Sequence, residues 1–384
     1  MRILQVIEFF SPSMGGSAQV AYQTAWHLAQ RGHQVSVWSS DYGADGSRFP
    51  EGSFETVLFP CPLARWGFYP TPALAGWARR HVSEFDVIHL HNLRTFQNLV
   101  VAGGARRAGV PYVLSAHGSL SHRVGRRLTK RAFDSLFGRW LIRGAQRLIA
   151  VSPVEVDQYR QAGLAADKIA MIPNGLDLDE FAHLPAPGAF RRKHGIPAGA
   201  KLVLSLGRIH RIKGLDVLIA AFGRLREKTP GVLLAIAGPD DGGELARLQI
   251  LAAQAGLGDR VQFPGPLYGE DKLAALADAD LVVVPSAYEI FGLVPFEALL
   301  CGTPVVINSG SGTSRLLGDT EAAYQVPYGD LPALTAVLQQ ALTDGVAIQR
   351  QVAIGQEFVR TRLDWRAIVV RVEGLYAEVV GSGD

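Results

Sequence analysis

The stretch LVVVPSAYEIFGLVPFEALLCGTP, residues 281–304, decides the fold class. Leu281-Val282-Val283-Val284 is apolar without alternation, the pattern of a strand covered on both faces. Pro285 ends the run, and a loop carrying Glu289, Phe291 and Gly292 follows. Pro295 suits the first turn of a helix, where its missing N–H is no loss. Gly302 and Pro304 stop that helix after about two to three turns. Strand, loop and helix in this order form the repeating unit of a parallel sheet between helix layers. The helix N-terminus, with its free N–H groups and dipole, would face outward at the carboxyl edge of the sheet and suit an anion. Glu289 and Glu297 would repel an anion they touched, so they suit hydroxyl groups better. Phosphate with hydroxyls is the chemistry of a nucleotide sugar. A surface loop ahead of a buried helix is the plain alternative.

The same unit recurs outward from this stretch. LVLSLGRIHRIKG, residues 202–214, is a buried strand ending in a turn with Arg208 and Lys213. A guanidinium and an ammonium at a strand end suit a diphosphate. The phosphate-loop pattern GxxxxGK(S/T) is not met. Strands are expected at 2–9, 34–40, 55–60, 86–91, 111–116, 147–152 and 169–173, and again at 202–207, 232–238, 261–264, 281–285 and 304–308. Strand-helix alternation over the full length predicts a doubly wound α/β architecture. The Pro- and Gly-rich segment 184–199 interrupts it and reads as a linker between domains 1–183 and 200–360. Ligands of such sheets lie beyond the carboxyl ends of the strands, so two facing domains predict a cleft.

In the first half, Ser13-Met14-Gly15-Gly16-Ser17 follows the first strand, with Ser17 as an expected N-cap. Gly15 and Gly16 let a backbone approach a ligand. GxGxxG is absent, which counts against a nicotinamide site. His117 ends the strand at 111–116 and is placed at the cleft edge. His89 and His91 share one face of another strand, where packing is the expected role for His89. Asp278-Ala279-Asp280 lies at a helix-to-strand junction and reads as capping rather than as a metal motif.

Composition narrows the class. The chain has 384 residues, 48% of them hydrophobic, and a formal net charge of +3, so it is long enough for more than one buried core. No apolar run approaches the roughly 20 residues of a membrane span. The start reads as a first strand rather than a signal peptide. Cys61 and Cys301 form no metal or redox spacing, and a reducing cytoplasm is the default expectation. Residues 122–147 hold Arg123, Arg126, Arg127, Lys130, Arg131, Arg139, Arg143 and Arg147 against Asp134 alone. Phe133, Leu136, Phe137, Trp140 and Leu141 recur there at helical spacing. Such a stretch suits an anionic surface, a nucleic acid or an anionic substrate, or is a core-facing helix with a solvated basic rim.

Several motifs in register resemble the family-4 glycosyltransferases, retaining enzymes with the GT-B fold. They are Gly15-Gly16, Arg31-Gly32-His33, Ser152, Pro173-Asn174-Gly175, Gly207-Arg208 with Lys213-Gly214, and Glu289 with Glu297 around Phe291-Gly292. The resemblance covers essentially the whole chain. It implies two Rossmann-like doubly wound parallel-sheet domains facing a central cleft, with a last helix over 364–380 crossing back to the first domain. Arg208 and Lys213 would neutralise a donor diphosphate, and Glu297 would hold the nucleotide ribose. Glu289, with the backbone of Phe291, Gly292, Leu293 and Val294, would face the donor sugar. Gly15 and Gly16 would approach phosphate and acceptor, and His117 would contact the sugar near the reacting carbon. His117, Arg208, Lys213 and Glu289 form the expected catalytic set. Two positions depart from the family pattern. Arg315 stands where a glutamate is common, and Ser17, Ala18 and Gln19 occupy a stretch that often holds another.

The expected activity is metal-independent, retaining transfer of a glycosyl group from a nucleotide-diphosphate sugar to a hydroxyl in glycan, polysaccharide or glycolipid synthesis. No cofactor or metal is expected. The expected partners are the donor, a glycan, lipid-linked or small-molecule acceptor, and an anionic membrane surface met by 122–147, but no nucleic acid. Donor binding should close the cleft. The alternatives are a GT-B-fold sugar-nucleotide epimerase and a non-catalytic nucleotide-sugar-binding subunit.

Overall fold

The computed structural model describes residues 1–12, 15–43, 49, 52–64, 68–121, 127–226 and 229–382. Two compact units emerge: Met1–Gly175 together with Trp365–Asp384, and Leu176–Asp364. The first holds β1 (Arg2–Phe9), β2 (Gln34–Ser40), β3 (Glu55–Phe59), β4 (Val87–His91), β5 (Tyr112–Ser115), β6 (Arg147–Ala150) and β7 (Ile169–Met171). These form a parallel sheet in the order β3-β2-β1-β4-β5-β6-β7. Between them run α1 (Gly16–Gln30), α2 (Pro72–His81), α3 (Phe96–Ala108), α4 (Arg127–Phe133), α5 (Arg139–Gly144) and α6 (Pro153–Gln161).

The second unit holds β8 (Lys201–Leu206), β9 (Val232–Ala237), β10 (Val261–Gly265), β11 (Leu281–Val284), β12 (Val305–Asn308) and β13 (Tyr324–Val326), in the order β10-β9-β8-β11-β12-β13. Its helices are α7 (Ala189–Lys193), α8 (Leu215–Leu225), α9 (Glu244–Gln254), α10 (Gly269–Asp278), α11 (Val294–Leu300), α12 (Gly312–Leu317), α13 (Leu331–Thr343) and α14 (Gly345–Arg362). The final helix, α15 (Trp365–Gly381), belongs to the first unit, where Trp365, Ile368, Val372 and Tyr376 are buried.

Alternating side chains explain why the strands are apolar throughout. On β1, Leu4 and Val6 enter one core, while Ile3 and Ile7 enter the core shared with α1 and α15. On β8, Val203 enters one core of the second unit, and Leu202 and Leu204 the other. Both sheets therefore bury two faces, as parallel sheets must. Strand order reverses between β1 and β4 and between β8 and β11. Such switch points open a crevice at the carboxyl edge, where ligands of these sheets bind.

Two readings of the sequence need correction. Residues 184–199 are not a linker, because the chain passes between units after Gly175 and again at Trp365. Phe190 of α7 is buried in the second unit's core. Asp278 accepts from the backbone N–H groups of Gly188 (2.7 Å), Phe190 (2.8 Å) and Arg191 (3.2 Å), and so closes the open start of α7. The Pro and Gly there serve turns within the unit. Helix α1 also starts two residues early, at Gly16, with Gly15 rather than Ser17 as N-cap and no side-chain cap. Ser17 is thus inside the helix.

Candidate active site

At the β8/β11 switch point of the second unit, Lys213 and Glu289 face each other. Lys213 Nζ lies 2.6 Å from Glu289 Oε2, and the Ser286 hydroxyl is 3.4 Å from the same oxygen. Lys213 is not the freely exposed residue its position after β8 suggests, since its side chain is 22% exposed and that of Glu289 18%. An ammonium carries three N–H donors, so a single carboxylate partner leaves capacity for further oxygens. The Glu289 backbone is fixed by Gly312, whose N–H donates to its carbonyl at 2.8 Å. Gly292 closes the loop in a left-handed conformation (φ 71°), and a Cβ there would lie 3.0 Å from Glu289 Cγ and from Thr313 Oγ1. A side chain at 292 would push Glu289 away from Lys213.

The other residues expected at this edge separate into two groups. Arg208 is open to solvent and pairs with Asp241 at 2.5 Å. Glu297, inside α11, accepts from Lys272 Nζ of α10 at 3.1 Å. Burial tends to strip the Lys272 proton, but the neighbouring Glu297 and Glu180 carboxylates outweigh this and hold its pKa above the usual lysine value. Leu293 caps α11 and Val294 begins it, both partly buried. Phe291 is buried, 5.4 Å from the Phe296 ring, so its side chain is core rather than a ligand contact. Asp241 and Lys272 are partners that sequence reasoning missed. Each comes from a different strand-helix unit, and no spacing announces the pairing. Asp280 pairs with Arg191 at 2.8 Å and Lys201 at 2.9 Å, so both carboxylates of Asp278-Ala279-Asp280 serve structural bonds. Among the described residues, no three or more His, Cys, Asp or Glu side chains group to hold a metal ion.

In the first unit, the carboxyl edge is marked by strain. Asn92 (φ 62°) after β4 and His117 (φ 49°) after β5 are the non-glycine residues with left-handed backbone among those described. Such conformations persist only where surroundings impose them, and they concentrate at functional sites. The His117 turn is held by α6. Glu155, fully buried, accepts from Gly118 N–H at 2.6 Å and Val151 N–H at 2.9 Å, while Tyr159 Oη accepts from Ala116 N–H at 3.1 Å. His117 Nε2 meets His91 Nδ1 at 2.9 Å. Gly15 and Gly16 are exposed, while Ser13 and Met14 lie outside the described residues.

Across the β1/β4 switch point, Glu8 accepts from Asn92 Nδ2 with both oxygens, at 2.8 and 2.9 Å. Burial pushes the Glu8 carboxyl up to about 7, against the lowering effect of the Asn92 bond. Ionised Glu8 therefore costs stability in the fold but not in the unfolded chain. That cost is absent below pH 4.5 and grows as pH rises through 7. Glu8→Gln is expected to gain stability relative to wild type between pH 4.5 and 8, on the order of 1–3 kcal/mol. Denaturant titrations of both proteins at several pH values check this, and a pH-independent difference would refute it.

The basic stretch is helical without a break from Arg127 to Gly144, and its middle turn is a π-helix. Helices α4 and α5 flank a π-turn at Asp134–Gly138, where Arg94 bonds Asp134 at 2.8 and 2.6 Å. Leu141 is buried, but Leu128 (80%), Leu136 (70%) and Phe137 (45%) are exposed beside exposed Arg127, Arg131, Arg139 and Arg143. Arg123 and Arg126 lie outside the described residues.

Comparison with known proteins decides the family. Residues 188–357 match the family model for glycosyl transferases group 1, and residues 14–180 match that for glycosyltransferase family 4. A phosphatidyl-myo-inositol mannosyltransferase of Mycobacterium leprae is 31% identical over 390 residues, covering 100% of this chain and 98% of that protein. The chain belongs to the family-4 glycosyltransferases. A D-inositol 3-phosphate glycosyltransferase of Stackebrandtia nassauensis is 30% identical to this glycosyltransferase, over 95% of this chain and 87% of that one. Among solved structures, Anabaena HepE in complex with UDP and glucose superposes with a TM-score of 0.83 at 24% identity, over 98% of this chain and 100% of that one. Sucrose-phosphate synthase from Thermosynechococcus elongatus gives 0.81 at 24% identity, over 99% of each chain. The glycosyltransferase therefore has the GT-B fold, with a parallel sheet of seven strands in one unit and six in the other.

Proposed function

We propose that this glycosyltransferase moves a glycosyl group from a nucleotide-diphosphate sugar to an acceptor hydroxyl, with retention of configuration and without a metal ion. The observation that carries the reading is the Lys213–Glu289 pair at the β8/β11 switch point, a cation and a hydroxyl acceptor side by side. The HepE complex, with UDP and glucose, supports a nucleotide-sugar donor. Lys213, joined by Arg208, takes the charge that builds on the leaving diphosphate. Glu289 accepts from hydroxyls of the donor sugar, and Glu297 from those of the ribose. The anomeric C–O bond breaks with its electron pair going to the diphosphate. The acceptor oxygen attacks the same face, and its proton passes to a diphosphate oxygen.

A thermal-shift screen of UDP-, GDP- and ADP-sugars tests the donor. A ligand at 100 times its dissociation constant stabilises by about 2.7 kcal/mol. One family of donors should raise the midpoint, and none doing so would refute the reading. Diphosphate release should persist in EDTA, whereas its loss with rescue by manganese would refute metal independence.

The acceptor is read as lipid-linked. The M. leprae relative is named for a phosphatidyl-linked acceptor, and exposed Leu128, Leu136 and Phe137 among arginines suit an anionic bilayer. Basic groups near such a surface contribute roughly 1 kcal/mol each. The protein is thus read as peripheral at the cytoplasmic membrane face; among the described residues, no helix is long and apolar enough to cross a membrane. Sedimentation should show binding to anionic vesicles at low salt and little to neutral ones. Equal binding to both would refute docking by this stretch.

A further inference from the structure

The face of the first sheet that meets α1 and α15 is largely apolar, and a polar layer crosses it. Gln5 of β1, His89 and His91 of β4, Ser115 of β5 and Tyr376 of α15 are all buried there. Strand register sets Gln5 beside His89 and His91 beside Ser115. The layer is bonded from end to end. Tyr376 Oη lies 2.6 Å from His89 Nδ1, and His89 Nε2 lies 2.7 Å from Ser115 Oγ. Gln5 Nε2 donates to Tyr376 Oη at 3.2 Å, and Gln5 Oε1 bonds His91 Nε2. His91 Nδ1 then meets His117 Nε2 at 2.9 Å, with the two rings parallel within 2°. His117 is the partly exposed end of this series, and its Nδ1 has no partner among the described residues.

With the Gln5 amide set with Nε2 toward Tyr376 and Oε1 toward His91, the direction of every proton in the series follows. An amide oxygen only accepts, so His91 carries its proton on Nε2. Neutral His91 then offers a lone pair at Nδ1, and His117 must donate from Nε2. The series ends in a lone pair on His117 Nδ1. Burial keeps the rings neutral at pH 7, holding His91 well below the usual histidine value and driving His117 down to about 4.

We propose that Gln5 and His91 are positioning residues that lock His117 in the Nε2–H tautomer, so that Nδ1 meets the substrate as a hydrogen-bond acceptor. A ring N–H at that position would suit a phosphate oxygen. A lone pair instead accepts a hydrogen bond from a hydroxyl and repels a phosphate oxygen, which is the polarity that the expected contact of His117 with the donor sugar requires. That contact rests on the donor reading above, whereas the tautomer does not. The left-handed backbone of His117 and the Glu155 bond to Gly118 fix where the lone pair is held. Tyr376 gives α15 a chemical link to the site, through Gln5, beyond its packing role.

The test uses full-length protein labelled with 15N-histidine and two-bond 1H–15N correlation at pH 7, with His117 assigned by the signals lost in His117→Asn. The expected result is a neutral His117 with its proton on Nε2. A proton on Nδ1, or an imidazolium, would overturn the proposal. In Gln5→Met the His117 signals should move toward a mixture of tautomers. An unchanged pattern in the folded variant would remove Gln5 from the relay. If Gln5→Met does not fold, the wild-type tautomer still decides. A wild type that binds no nucleotide sugar but keeps Nε2–H refutes the donor reading and leaves the relay standing.

Discussion

Lys213→Ala is expected to lower turnover at least tenfold while the protein stays folded. Lys213 sits at the carboxyl edge of a sheet whose cores it does not enter, so its loss removes no packing. What it removes is a cation 2.6 Å from Glu289, in a partly desolvated place where charge interactions are stronger than in water. A hydrogen bond to a charged group contributes about 1.5–3 kcal/mol, and each 1.4 kcal/mol is tenfold in rate. The deficit should appear in kcat, because the leaving diphosphate carries more charge in the transition state than in the ground state. Glu289→Gln should not add its full effect to that of Lys213→Ala, since each variant already breaks the shared pair. Steady-state kinetics of the two single variants and the double variant measure this. Wild-type kcat in Lys213→Ala would overturn the phosphate role.

Gly238→Ala is expected to be the most damaging small substitution for stability. Gly238 directly follows β9 with φ 150°, and an added Cβ would stand 1.8 Å from the carbonyl oxygen of Gly207, which directly follows β8. Neither backbone can retreat. Gly207 N–H is bonded to Ala237 O at 2.9 Å, and Gly238 N–H to Gly265 O at 2.9 Å. Separating the strand ends breaks these bonds in a buried sheet, so a loss of about 3 kcal/mol or more follows. Gly223→Ala is the control. It lies in the last turn of α8 with open space at its Cβ position, and should gain up to about 0.5–1 kcal/mol. Equilibrium unfolding of both variants decides, and a Gly238→Ala protein as stable as wild type would refute the close approach.

The order of elements was legible from the chain because most strands are short apolar runs and many are flanked by Gly or Pro. Twelve of the expected strands match the sheets closely, from Arg2–Phe9 through Val305–Asn308. Tyr324–Val326 was missed, since three residues of mixed polarity carry no periodic signal and pair only because β12 offers its edge. Lys213 and Glu289 were legible individually, as charged residues just past buried strands.

Their pairing was not legible, nor was that of Glu297 with Lys272, because partners 76 and 25 residues apart meet only when the strand order is set. The unit boundary was misplaced for a similar reason. Pro and Gly at 184–199 signal turns, and whether a turn lies inside a unit depends on Phe190 and Asp278 finding each other. His89 and His91 announced a shared strand face through their spacing. Their joining by Gln5, Ser115 and Tyr376 into one bonded series came from strand register and from the return of α15. Local pattern thus specified which residues stand at strand ends, since burial period and turn chemistry act over a few residues. Which charges pair, and which histidine nitrogen is left with a lone pair, was decided by contacts that close only in the folded chain.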